Sequence, residues 1–404
     1  MKFVSSFFLL LPIFALMTSC SVLNFDFFSS KKLIPASLEK FNQKIALEKK
    51  WEIKIGSNNV LNSGIGSFGP KIINNEVITT LGSGVVSAFG ILEGNQIWNV
   101  TIDQKLLSSV DYKKIGEVGI IAAITEMGEL ILVNSLGEVL WKSKLNGIVR
   151  VSPIITNSAV IALYADNRVV AFDLNSGKRL WVLKRRVPPL ILHGQSGMTL
   201  LSNISNLESL VPNTENGLLI NMAGGRIVFL NSSTGKVNWE SRVVFSRGTN
   251  EVERIADLMG NPYVDNEVCT TAYQNSLVCL SLLNGEVAWR KSFDSVQPAA
   301  FSNLSVIAVD SSSKITAFSR DEKEIPKWKT NKFFLRKISA PIIWKNAVWF
   351  VDQQGYLHGL SLENGEVVSR FRLRDGLLSG TIKTTSTGML LQTANGQLIM
   401  LNKN

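Results

Sequence analysis

The sequence of 404 residues predicts an all-β fold: an eight-bladed β-propeller of four-stranded antiparallel blades, closed by pairing N- and C-terminal strands. Three observations predict it. A tryptophan recurs about every forty residues, four positions after a glycine. Apolar and polar residues alternate on both sides of that glycine, as in strands with one buried face. The last copy breaks off before its glycine, while an unmatched tryptophan stands near the other end.

In chain order, Met1 and Lys2 give a positive start and Phe3 to Met17 is almost wholly apolar. That run is too short to span a bilayer comfortably and fits a signal-peptide core. It ends in Leu16-Met17-Thr18-Ser19-Cys20, which resembles a bacterial lipobox. Residues 1–19 therefore read as a lipoprotein signal peptide and Cys20 as the lipidated residue; the alternative is an ordinary secretory signal with an incidental cysteine. Each buried CH₂ of an acyl chain contributes about 0.8 kcal/mol to attachment. Residues 20–50 read as the lipidated cysteine and its tether, with a short helix expected between Ser37 and Lys50. Phe25, Phe27 and Phe28 are placed either to enter the lipid interface or to stay unstructured.

The propeller is expected over residues 51–404. Its repeat reads Gly94 to Trp98, Gly137 to Trp141, Gly177 to Trp181, Gly235 to Trp239 and Gly285 to Trp289, with a degraded copy at Lys323, Glu324 and Trp328. In the last complete copy Ser369 holds the tryptophan's place after Gly365. Glycine in each turn accepts positive φ, which a hairpin needs, and the tryptophan supplies a large flat surface for packing neighbouring units. A second strand pair precedes each copy, opened in five of them by Pro70, Pro153, Pro262, Pro298 or Pro341. Gly396 to Leu401 starts one more copy that the chain does not finish, and the strand around Trp51 is its missing piece. Joining the two removes the open sheet edges.

Composition narrows the chemistry. The net charge is +10, yet the densest basic cluster is Lys184-Arg185-Arg186, so no concentrated nucleic-acid face is expected. That cluster reads as a solvated loop base, or as a contact for acidic partner residues or lipid heads. His193 and His358 stand in no metal-ligand spacing, and no metal or cofactor is expected. Cys269 and Cys279 flank a Gln274-Asn275 turn. A two-residue turn would pair residue 270 with 279 and send the two thiols to opposite sides, so no disulfide is expected.

The longest tryptophan intervals, Trp181 to Trp239 and Trp239 to Trp289, are consecutive. The connections that lengthen them should therefore lie side by side on one face, and such insertions often mark a binding face. Residues 199–211 look like further extra sequence between the first of these loops and its blade.

Over residues 50–404 the Gly-x-x-x-Trp line resembles the pyrroloquinoline quinone-type propeller repeat. Lipobox, length and eight copies together resemble the propeller lipoproteins of the outer-membrane β-barrel assembly machine. Pro189-Leu190-Ile191-Leu192-His193-Gly194-Gln195-Ser196 is similar to that family's Pro-x-Leu-x-Leu-Arg-Gly-x-Ser loop, with His193 at the arginine. Glu251 to Asp257 is similar to its acidic-Arg-aliphatic-x-Asp stretch, with Met259 where a second aspartate is usual. The resemblance implies an outer-membrane, periplasm-facing, non-enzymatic scaffold that binds the polypeptide-transport domains of BamA-like proteins and assists barrel insertion. Nascent outer-membrane proteins are a further candidate partner. Leu190, Leu192, His193, Arg254 and Asp257 become the candidate contacts, and Met259 would give apolar contact in place of the carboxylate. In an extended loop Leu190 and Leu192 point the same way; alternatively, both tuck beneath their own loop. Two rivals share the repeat. A periplasmic propeller could scaffold another envelope complex. A quinone-dependent dehydrogenase needs Ca²⁺ ligands and an adjacent cysteine pair that this chain lacks.

Overall fold

In a computed structural model, the described residues are 34–56, 68–192, 196–204, 214–244, 249–250, 255–321, 325–373 and 378–403. One compact unit spans Pro35–Asn404. Cys20, His193, Arg254, Lys323 and Glu324, and the phenylalanines near Cys20, lie outside the described residues.

Eight four-stranded sheets form the fold, every pairing antiparallel. Blades 1–7 cover residues 71–101, 111–144, 154–184, 197–242, 258–293, 300–330 and 342–372. Blade 8 takes three strands from residues 383–403 and its fourth from Leu47–Lys54. In that closure Trp51 lies opposite Met400 and Ile53 opposite Leu398. The closing strand starts inside the stretch read as tether, and Ser37–Lys50 forms no helix. Tertiary partners claim that backbone instead: the Lys44 and Ile45 N–H groups both donate to the Val368 carbonyl at 2.9 Å.

The middle strands are buried on both faces, as in Ala159–Leu163, because a neighbouring blade covers each side. The fourth strands are half-exposed, as in Arg179–Lys184. Blades are joined by the repeat itself. A Cβ at Gly177 would stand 2.7 Å from Trp141 of the preceding blade, and one at Gly285 2.5 Å from Trp239. Both glycines also have positive φ, so the turn conformation and the indole each exclude a side chain. The same indoles donate to that turn, Trp141 to the Leu174 carbonyl at 2.8 Å and Trp239 to that of Leu282 at 2.8 Å. Trp51, Trp181 and Trp328 repeat the arrangement on Gly94, Gly235 and Gly365.

The exceptions follow from what each indole meets next. The turn ahead of Trp98 is one residue tighter, Gly137 N–H reaching Asn134 where Gly177 N–H reaches Asp173. Gly137 then stands clear, and Trp98 packs on Tyr112 at 5.4 Å. Ahead of Trp289 the degraded turn carries no glycine, and the buried indole N–H has no partner among the described residues. Blade 8 has no third-to-fourth hairpin at all, because its outer strands come from opposite ends of the chain. Tryptophan has no turn to cover there, and the buried Ser369 occupies its place.

The cysteine expectation is overturned: Cys269 and Cys279 form a disulfide. Ala272 pairs with Ser276, so three residues, Tyr273 to Asn275, cross the hairpin. The odd count shifts the register by one and sets Cys269 directly opposite Cys279, with both side chains on one face.

Chain reversal fixes two faces. Second-to-third hairpins and the connections into the next blade share the upper face, where isolated bridges such as Val149–Tyr164 and Ser295–Asp310 join them. First-to-second and third-to-fourth hairpins share the lower face.

Candidate partner-binding surface

The two long connections, residues 185–196 and 243–257, lead into blades 4 and 5 on the upper face. Asp257 ties them together. It is fully buried, and its carboxylate accepts the Leu192 N–H at 2.5 Å and the Gly224 N–H at 2.8 Å. Its own carbonyl accepts the Tyr273 N–H at 2.9 Å. One residue thus fixes a loop and two hairpins drawn from blades 4 and 5. A buried carboxylate needs such donors, because leaving its oxygens unpaired away from water is costly.

A second brace stands one blade earlier. Asn167, buried and at φ 60°, accepts the Ala223 N–H at 3.1 Å. Its amide donates to the carbonyls of Ala223 at 3.0 Å and Arg186 at 3.2 Å. Pro188 lies over Gly224, where a Cβ would stand 2.8 Å from its ring. Arg185 donates to Glu240 at 2.6 Å, and Arg226 pairs with the same carboxylate. Within the basic cluster Arg185 is therefore tied to blade 4 by an ion pair, while Lys184 and Arg186 stay exposed as a solvated loop base.

On this support Leu190 is 39% exposed, whereas Leu192 is half-buried with its N–H held by Asp257. The two leucines are not equivalent, as simple alternation had implied. Two further expectations need correction. Asp257 faces backbone donors in the interior and presents no free carboxylate to a partner. Met259 is buried opposite Thr271 in the first strand of blade 5, so it offers no surface contact. Residues 197–200 are the first strand of blade 4 and 217–222 the second, so the connection between them leaves and re-enters the blade on the lower face, away from the two loops. Of that connection residues 205–213 lie outside the described residues. Sequence reasoning missed Asn167, which stands ten residues before the repeat glycine Gly177.

A family model described as outer membrane protein assembly factor BamB matches residues 82–330. The chain belongs to the BamB family. The match includes both long connections, Asn167 and Asp257, and it ends before the closing blade. The chain is 29% identical over 392 residues to the outer membrane protein assembly factor BamB of Bordetella pertussis, covering 96% of this chain and 94% of that one. It is 27% identical over 365 residues to the factor of the same name from Burkholderia pseudomallei, with 90% of each covered. Among solved structures, BamB from Moraxella catarrhalis superposes with a TM-score of 0.73 at 21% identity, over 88% of this chain and 100% of that one. The quinohemoprotein alcohol dehydrogenase of Comamonas testosteroni gives 0.64 at 12% identity, over 88% of this chain and 76% of that one. At these identities both share the fold alone with this BamB-family chain.

Among the described residues, the ligand atoms of Glu267, Cys269 and Cys279 lie within 4.8 Å of one another, but the disulfide ties up both sulfurs.

Proposed function

We propose that this chain is a non-enzymatic scaffold of outer-membrane protein assembly, holding the transport domains of a BamA-like partner against its upper face. The observation that carries the reading is the buried Asp257, which locks two long upper-face connections to each other and leaves Leu190 exposed on a braced rim. Fixed loops favour binding because little conformational entropy remains to be lost on association. Leu190 is the apolar anchor, Leu192 supports it, and His193 and Arg254 supply polar contacts. A histidine at 193 keeps a donor but lacks the planar fork of an arginine. Nascent barrel proteins are a second class of partner on the same scaffold.

The chain is anchored by lipid on Cys20 and faces the periplasm; residues 1–19 are the signal and the segment after Cys20 is the tether. The disulfide supports this placement, since such bonds persist in oxidising compartments. A dehydrogenase of the same fold calls for adjacent cysteines, whereas Cys269 and Cys279 sit on separate strands of one blade. Purification of the native lipoprotein from membranes tests the reading. The BamA-like partner is expected to co-purify, and Cys20→Ser to move the protein to the soluble fraction or leave it unprocessed. A preparation without that partner, or a Cys20→Ser protein that labels with lipid like the parent, would contradict it.

A further inference from the structure

Residues 35–46 run as a strap across the outer edge of blade 7. At its start Ala36 N–H donates to the Phe334 carbonyl at 2.9 Å, and Arg336 Nη1 donates to the Ala36 carbonyl at 2.8 Å. Farther along, Arg370 Nη1 donates to the Glu39 carbonyl at 3.1 Å, and Phe41 lies 4.8 Å from the Arg370 guanidinium. Leu38 and Phe41 pack against the cluster containing Phe333 and Phe350. The exposed pairs Lys332–Glu39 and Lys44–Glu366 add little, since solvent screens them. Backbone bonds hold the strap at its two ends, the Ala36 N–H on Phe334 and the Lys44 and Ile45 N–H groups on Val368, and between them two arginines grip its carbonyls.

Both arginines rest on the same buried centre. Asp352 Oδ2 accepts from Arg336 Nε at 2.8 Å, from Arg336 Nη2 at 2.6 Å and from His358 Nε2 at 2.9 Å. Its Oδ1 accepts the N–H groups of Gln354 and Tyr356. His358 is fully buried among the rings of Phe333, Phe350 and Tyr356. Arg370 Nε donates to His358 Nδ1 at 3.4 Å. Arginine has no lone pair to offer, so Nδ1 must be the acceptor; the network assigns the ring proton to Nε2 and leaves the imidazole neutral.

We propose that residues 35–46 are an acid-sensitive clasp: when His358 Nδ1 takes a proton from water, it can no longer accept from Arg370, and the strap loosens from blade 7. The groups facing His358 are Asp352, which favours the charged ring, and Arg370 and Arg336, which oppose it. Burial is the largest influence and lowers the His358 pKa below its ordinary value of 6.5. Opening the strap returns the ring toward that ordinary value, so the open form binds more protons. The clasp is therefore fully held above about pH 6.5 and weakens as the pH falls below it. With Cys20 as the anchor, release adds about twelve residues, roughly 40 Å of extended chain, between lipid and propeller. The clasp itself does not depend on that reading.

Hydrogen-exchange mass spectrometry on the intact protein at about pH 7.5 and about pH 5, corrected for intrinsic exchange, reads the strap amides directly. Protection of residues 36–45 is expected to fall at least about tenfold at the acid pH, while residues 159–173 keep theirs. His358→Gln removes the pH dependence, and Arg370→Ala opens the strap at both values. Unchanged protection in acid, an equal acid loss in His358→Gln, or a fully protected strap in Arg370→Ala overturns the proposal. Should His358→Gln fail to fold, NMR titration of the protein's two histidines replaces it. Strap opening must then follow the titration of His358, and opening while His358 stays neutral overturns the clasp.

Discussion

A carboxylate removed from water is stable only where donors surround it, and Asp257 meets that condition with backbone N–H groups from two separate segments. Its contribution to binding is therefore positional: it sets where Leu192 and its neighbours stand. Asp257→Ala would orphan the Leu192 and Gly224 donors, at a cost of about 1–3 kcal/mol for each that stays dry. The expected result is faster proteolysis within residues 184–197 and a small drop in melting temperature, with the propeller still folded. Unchanged loop proteolysis would show that the carboxylate does not hold the loop. The sequence showed an acid in a long connection and, through resemblance, pointed to a partner contact. It could not show which remote N–H groups the fold brings to that acid. The cysteines failed as a prediction for a related reason. Whether two or three residues cross a hairpin is a local choice settled by tertiary anchors, here Tyr273 N–H on Asp257 and Gln274 N–H on Ser295.

At the scale of elements, the repeat was legible because one pair of residues does the same job in most blades. A tryptophan needs a glycine turn to cover, and both leave a fixed spacing in the sequence. The closing blade was legible as well, since an orphan tryptophan strand and an unfinished repeat complement each other; the pairing of Trp51 with Met400 is the outcome. The strap was not. Its polar residues fit a helix about as well as an extended chain, and partners some three hundred residues away, Phe334, Arg336, Val368 and Arg370, decide between them. Removing residues 1–55 takes away the fourth strand of blade 8 and leaves Gln397–Lys403 as an open edge. Aggregation, or a large loss of melting temperature, is expected. A truncated protein with the parent's solubility and melting curve would contradict closure by both termini.

For the whole molecule, a closed ring of eight blades gives the two long connections a fixed separation and direction. The family match spans the blades that carry them, so the rim belongs to the part of the chain shared with BamB proteins. On this rim Leu190 is the exposed leucine, and full burial of a leucine contributes about 1.5–3 kcal/mol before the costs of association. The central claim is that this braced rim, and not the propeller body, holds the partner. The most direct measurement is the affinity of Leu190→Ala with Leu192→Ala for BamA-like transport domains, taken beside its melting temperature. The account predicts binding at least about tenfold weaker, near 1.4 kcal/mol, with melting unchanged. Unchanged binding, or a loss of folding stability equal to the loss of affinity, would contradict it.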